Sequence, residues 1–361
     1  MRSPGSARPA CRPGWPRRST RGWPPVADAF LTLPAADRRD ILQTAAARSG
    51  RPAIILEKDV WICRVLQVLF SIPDRHPMAF KGGTSLSKVY GVIDRFSEDV
   101  DITLDYRAFA EGFDPFAPGV SRSAIRRFGD RLKSRVESYT RDVVGPALEA
   151  AADGFPASCR PAVRIDDGGE HVRFAYPSAV ENPLGYLASE VLLEFGGRNV
   201  VDPNERHEIV PDIAAMTNGL DYPTATVTVL SPARTFWEKA TLVHVECHRR
   251  RLAASPERLS RHWFDLACLA RHDAGHVALA DRALLEDVVR HKTVFFNASY
   301  ASYGDCLDGQ LRLVPDEDQL GGLRSDYDAM RRAGIIGGDA PSFDALIERL
   351  RALEAEGNRP S

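Results

Sequence analysis

The sequence has no excess of charge of either sign, no long apolar run, no paired cysteines and no internal repeat. Each absence removes a class of protein. With 47 Lys and Arg against 49 Asp and Glu, the net charge is -2, so no overall field draws the chain to nucleic acid or membrane. Contact with a polyanion must come from a local basic patch. No apolar stretch approaches the roughly 18 residues that a membrane span needs. The six cysteines, at 11, 63, 159, 247, 268 and 306, form no Cys-x-x-Cys pair. In a chain too large to need staples they read as reduced thiols of a cytoplasmic protein. What is there is ordinary for a globular protein, with 44% hydrophobic and 27% charged residues. A length of 361 residues suffices for one large domain or two modest ones around a buried core.

Residues 1–27 stand apart, with six arginines, no acidic residue and repeated Pro, Gly and Ser. Pro24 and Pro25 follow only polar and aromatic fragments, so the apolar stretch of a signal peptide is missing. This composition predicts a disordered basic tail or an over-extended translation start, with an RNA-touching arm as the functional alternative.

Order is expected from near Val26. Helical patterns run over 35–48 and over Ile54 to Phe70, where Leu56, Val60, Cys63 and Leu66 recur at helix spacing before Pro73 and Pro77. Met78 to Lys81 reads as a short strand, the glycine pair as a turn, and Ser85 to Val92 as a helix. Val100, Ile102 and Leu104 alternate with Asp99, Asp101 and Thr103, the period-two pattern of a half-buried strand. A long helix with basic, solvated positions is predicted from Arg122 to Ala152. Strands follow at Val163 to Ile165, Val172 to Tyr176, Ala188 to Phe195 and Val227 to Val229. After Ser231-Pro232, an N-cap with proline at the first helical position, the chain is mainly helical and ends in an amphipathic helix from Phe343 to Glu356. Without regular βαβ alternation, the expected class is α+β: a mixed-sheet core over 28–230, then a helical part over 231–356 that contributes to the site.

Four segments carry candidate chemistry. Lys81-Gly82-Gly83-Thr84-Ser85 joins a strand to a helix, where glycines permit close backbone approach and a helix start offers N–H groups to phosphate. Asp99 and Asp101, two apart on a strand, point to one face and can hold Mg²⁺ or Mn²⁺. Either motif alone is better explained by a surface turn or a solvated strand; their order is the informative feature. Glu194, in an apolar strand, is the expected third carboxylate, with Glu190 on the same face as its competitor. Lys239 lies beside the apolar face of its helix, placed to reach triphosphate or to snorkel outward. Asp265, among aromatic and aliphatic neighbours, needs a cation partner, for which Lys239 or Arg261 would serve.

Other features have weaker claims. His244 and His248 stand one helical turn apart, as zinc ligands do, but the residue order differs from that of zinc-protease helices, so partly exposed helix residues are expected. Arg249, Arg250 and Arg251, with Arg261, form a basic run that could contact an RNA backbone. Arg126, Arg127, Arg131, Lys133 and Arg135 offer a second basic face. Ser97 precedes Asp99 by two residues, and its phosphorylation would set a dianion beside the carboxylates.

Taken together, Leu56-Glu57-Lys58-Asp59-Val60-Trp61, Lys81 to Leu86, Ser97 to Asp101, Trp237-Glu238-Lys239-Ala240 and Arg261 to Leu266 resemble the AbiEii/AbiGii toxin family of nucleotidyltransferases, which includes the MenT toxins. The likeness runs in order over roughly residues 50–355. It implies a polymerase-β-like core and a toxin of a bacterial toxin–antitoxin or abortive-infection system with a cognate antitoxin. The implied activity is metal-dependent transfer of a nucleotide from an NTP to RNA, with tRNA 3′ ends as the expected acceptor. By position, Asp99 and Asp101 would be metal ligands, Gly82 to Ser85 the phosphate turn, Lys239 a triphosphate contact and Asp265 the completing acid. Transfer to a protein or small molecule, or a nucleotide-binding module without catalysis, are the alternatives.

Overall fold

The computed structural model describes residues 29–181, 188–249, 259–337 and 339–359; the basic tail and residues 250–258 of the arginine run lie outside it. The chain opens with α1 (Ala29–Thr32), α2 (Ala35–Ser49) and α3 (Ala53–Phe70). Helix α3 follows Pro52 and is apolar on nearly all sides, so it is buried along most of its length. Its polar stretch is satisfied in place. Glu57 accepts from the Ala179 amide at 2.8 Å and from the Ser178 hydroxyl at 2.5 Å. Lys58 reaches Glu98 at 3.1 Å, and Asp59 meets Lys88 at 2.8 Å. The helix thereby pins two loops and the end of a short helix beside the sheet.

Next come β1 (Met78–Lys81), α4 (Gly82–Lys88), β2 (Asp99–Asp105), α5 (Arg122–Tyr139) and α6 (Gly145–Asp153). Five strands follow: β3 (Ala162–Ile165), β4 (His171–Ala175), β5 (Glu190–Asn199), β6 (Asn204–Ile209) and β7 (Ala225–Leu230). All seven form one sheet in the order β3-β4-β5-β2-β1-β7-β6. It is mixed: β2 pairs parallel with β5 and β1 parallel with β7, while the other pairs are antiparallel. Val100, Ile102 and Leu104 of β2 and Val191, Leu193 and Phe195 of β5 join one core with α3, α5 and α6. The alternation that marked these strands thus put their carboxylates on the opposite face.

The remainder is helical: α7 (Pro232–Cys247), α8 (Arg261–Arg271), α9 (Asp273–Ala280), α10 (Arg282–Phe295), α11 (Glu317–Arg332) and α12 (Phe343–Gly357). These helices enclose a second apolar cluster, which also takes in Leu86 and Ile93 from the sheet-bearing part. The class is α+β with a mixed sheet and a helical C-terminal part, as the pattern predicted. No described helix is long and apolar enough to cross a membrane.

Three details differ from expectation. The helix of 122–152 is interrupted by a π-helical turn at Thr140–Val144. Pro146 has no amide to offer the ladder, and the Thr140 hydroxyl donates to the Gly169 carbonyl at 2.7 Å, with the Val136 and Glu137 carbonyls also within reach around the widened turn. The helix after β1 begins at the glycines and stops at Lys88, short of Val92. Strand β6 was not foreseen, because an edge strand reading Asn-Glu-Arg-His-Glu-Ile is polar on both sides.

Candidate active site

The site forms where β1, β2 and β5 lie side by side. Lys81 is extended, and Gly82 turns the chain with φ +80°, a left-handed conformation that favours glycine. Space demands glycine as well: a Cβ at Gly82 would fall 1.9 Å from Asp101 Oδ2, and one at Gly83 would fall 2.3 Å from Arg95 Nη2 and 2.7 Å from Ser97 Oγ. The turn therefore lies directly against the carboxylate strand. Thr84 and Ser85 act as its fasteners. The Thr84 hydroxyl donates to the Asp99 carbonyl at 2.5 Å, the Ser85 hydroxyl donates to the Gly82 carbonyl at 2.9 Å, and both side chains are buried.

Lys81 stands opposite Asp101, and Asp101 stands opposite Glu194 on the parallel neighbour. Asp99, Asp101 and Glu194 therefore share one face of adjacent strands. Burial, with the Glu98 and Asp101 charges beside it, raises the Asp99 pKa. Burial and the Asp101 and Asp99 charges likewise raise that of Glu194. The cluster holds more negative charge than its neighbours neutralise, and an all-oxygen donor set of this kind suits a hard divalent cation. Glu194 lies on an interior strand, not an edge, with its side chain 42% exposed. Glu190 is engaged by Arg173.

From the helical part, α7 and α8 deliver Lys239 and Asp265. Asp265 is fully buried and accepts from Arg95 Nε at 2.6 Å, Arg95 Nη2 at 2.7 Å and Lys239 Nζ at 2.8 Å. Burial alone would raise its pKa, but Arg95 and Lys239 hold it well below the usual carboxylate range. The cation that Asp265 needed is thus Lys239 together with Arg95; Arg261 instead lowers the Asp99 pKa from nearby. Arg95 was not foreseen, being 170 residues from its partner with no local pattern around it. Its loop is clamped by the helical part, where Arg95 bridges to Ile336 and the Phe96 amide donates to the Ile335 carbonyl at 2.9 Å.

Arg95, Ser97, Asp99 and Arg261 line one small cavity with Met330 and Ile335. Beside it, Glu238 links Lys81 at 3.8 Å to Arg234 at 3.5 Å. Arg249 is occupied elsewhere, paired with Glu246 at 3.2 Å and packed over the Tyr300 ring. Arg250 and Arg251 lie outside the described residues.

His244 is fully buried rather than partly exposed. It comes together with His248 and Asp305, potential ligand atoms all lying within 4.8 Å, but both of its ring nitrogens are engaged. Nδ1 accepts from the Arg312 amide at 2.9 Å, and Nε2 donates to the Ser302 carbonyl at 3.1 Å.

With this geometry in place, a model of the family described as "Nucleotidyl transferase AbiEii toxin, Type IV TA system" matches residues 64–349. No curated protein matches the chain.

Proposed function

The chain belongs to the AbiEii nucleotidyl transferase toxin family, and on that premise we propose that it transfers a nucleotide from an NTP to the 3′ end of an RNA, with tRNA as the expected acceptor. It would act as the toxic half of a toxin–antitoxin pair. The observation that carries this reading is the register that sets Asp99, Asp101 and Glu194 on one face, against the glycine turn that follows Lys81.

In the proposed reaction the acceptor hydroxyl oxygen attacks the α-phosphorus and gives up its proton to solvent, a new P–O bond forms, and the bond to the bridging oxygen breaks to release pyrophosphate. Asp99, Asp101 and Glu194 would hold Mg²⁺ or Mn²⁺, which when bound supplies charge neutralisation and polarises phosphate oxygens. The protein's own contribution is positioning and fixed charge. Asp265 holds Lys239 in place at 2.8 Å, so the lysine would not have to be ordered at the moment of reaction. Gly82 and Gly83 let Asp101 and Arg95 lie directly against the turn. Lys81 is drawn toward Glu238 and stands at the same edge as the carboxylates. Ser97 lies over Gly83, so a phosphate placed on it would crowd this edge with negative charge and oppose nucleotide entry.

Incubating the protein with Mg²⁺, each labelled NTP and total RNA tests the reading. Label in tRNA is the expected result. Label in a protein or small molecule, or nucleotide binding without transfer, would replace it with one of the alternatives.

A further inference from the structure

The face of the sheet that carries the carboxylates continues beyond them. Asp101 stands opposite Glu194, and Glu194 opposite His171. In the next row Asp99 stands opposite Leu192, Leu192 opposite Arg173, and Arg173 opposite Arg164. Residues facing one another across strands share a side of the sheet. With strands about 4.8 Å apart, the two arginines extend the Asp99 row outward by roughly 10 and 14 Å.

The helices packed on these strands cover the other side. Trp61 of α3 lies 6.0 Å from Phe174, Gly197 abuts Val136 of α5, and Gly145 of α6 abuts Ile165. On the carboxylate side, a Cβ added at Gly196 would meet nothing within 4 Å, and Arg164 and Arg173 are exposed. Two arginines directly opposite each other on antiparallel strands repel, a cost the fold does not need. Arg173 has Glu190; Arg164 forms no ion pair among the described residues. His171 is oriented, with Nδ1 2.7 Å from Asp166 and Nε2 3.7 Å from Glu194.

We propose that this open face of β3, β4 and β5 is the docking surface for the polynucleotide acceptor. The phosphates near its 3′ end lie on Arg173 and Arg164, and its terminal ribose passes over Leu192 toward the carboxylates. Charge complementarity selects the occupant. Guanidinium forks match phosphate geometry, and the small residues Ala162, Ala175 and Gly196 leave the surface flat enough for an extended backbone. The proposal rests on the transfer to RNA argued above and adds the surface that presents the acceptor.

The test uses the full chain and a labelled single-stranded oligoribonucleotide, comparing wild type with the double variant Arg164→Gln/Arg173→Gln. In fluorescence anisotropy without nucleotide, the double variant should weaken binding at least tenfold. The slope of log Kd against log salt should fall by roughly 1.4, two contacts at about 0.7 each. In the transfer assay the KM for the oligonucleotide should rise and the KM for NTP should not. A matching thermal melt shows that the variant folds, and Arg126→Gln/Arg127→Gln on α5 serves as a control that should move neither readout.

Wild-type binding and acceptor KM in the double variant would overturn the proposal while leaving the transfer reading intact. An equal loss in the α5 control would overturn it too. If wild type transfers no nucleotide to RNA, the transfer reading fails and the binding measurement alone decides the surface. Transfer to a protein that the double variant impairs would overturn the polynucleotide assignment.

Discussion

Two carboxylate centres lie within one site and are built on opposite electrostatic terms. Asp99, Asp101 and Glu194 crowd a half-exposed face, and their mutual repulsion helps raise the pKa values of Asp99 and Glu194. Asp265 is fully buried, yet it is held well below the usual range by two cations. The first centre is only partly offset by the cations near it, and on the proposed reading a divalent cation would complete it. The second is saturated from within, and its role is to hold Lys239 and Arg95 in place. The same functional group becomes a ligand or an anchor according to how many cations the fold has already given it.

Replacing an acid in each centre should separate the two roles. Asp99→Ala or Asp101→Ala is expected to reduce transfer at least about 1000-fold, roughly 4 kcal/mol of barrier, with the melting temperature unchanged or raised because repulsion is relieved. A clear drop in melting temperature for either variant would break the contrast. Asp265→Ala should instead lose stability, by about 3–5 kcal/mol, because Arg95 and Lys239 are left buried without their partner. Urea unfolding measures this; a loss under 1 kcal/mol would show that Asp265 is no anchor.

A second pair of buried groups sharpens the point with pH. Burial lowers the pKa of His244 and of His291 from 6.5 to about 4. The fold keeps both neutral, so the unfolded chain binds protons that the native state refuses. Their contribution is complete above about pH 6.5 and is lost as pH falls toward 4; their own share of the proton uptake on unfolding approaches two, and His262, whose pKa burial also lowers, adds to it. Denaturation midpoints at pH 7, 5.5 and 4.5 check the slope, and His291→Gln should remove its share. The smallest effect belongs to the open centre. Mg²⁺ at ten times its Kd should stabilise wild type by about 1.4 kcal/mol, and Glu194→Gln should shrink this shift. Equal Mg²⁺ shifts in wild type and variant would exclude Glu194 as a ligand.

Much of the fold was legible because burial writes itself into periodicity. Val100, Ile102 and Leu104 had to face a core, which left Asp99 and Asp101 on the other side. The glycines before them marked a close approach, and the structure supplies its object, the Asp101 carboxylate. The need of Asp265 for a cation also followed from its neighbours, although Arg95 as that cation did not. The turn at Thr140–Val144 and strand β6 leave no signal in the pattern for local reasons: a proline inside a strong helical pattern, and an edge strand with no apolar face.

By itself the sequence determined the α+β class, the positions of the carboxylates along the chain and the ordered motifs of the family, since these depend on local pattern and residue type. Only the tertiary structure decided that Glu194 rather than Glu190 faces Asp101, that Arg95 closes on Asp265, and that Arg173 and Arg164 continue the Asp99 row. Each depends on strand register or on a contact between distant segments. A one-residue slip along a strand would have turned Glu194, Arg173 or Arg164 to the other face.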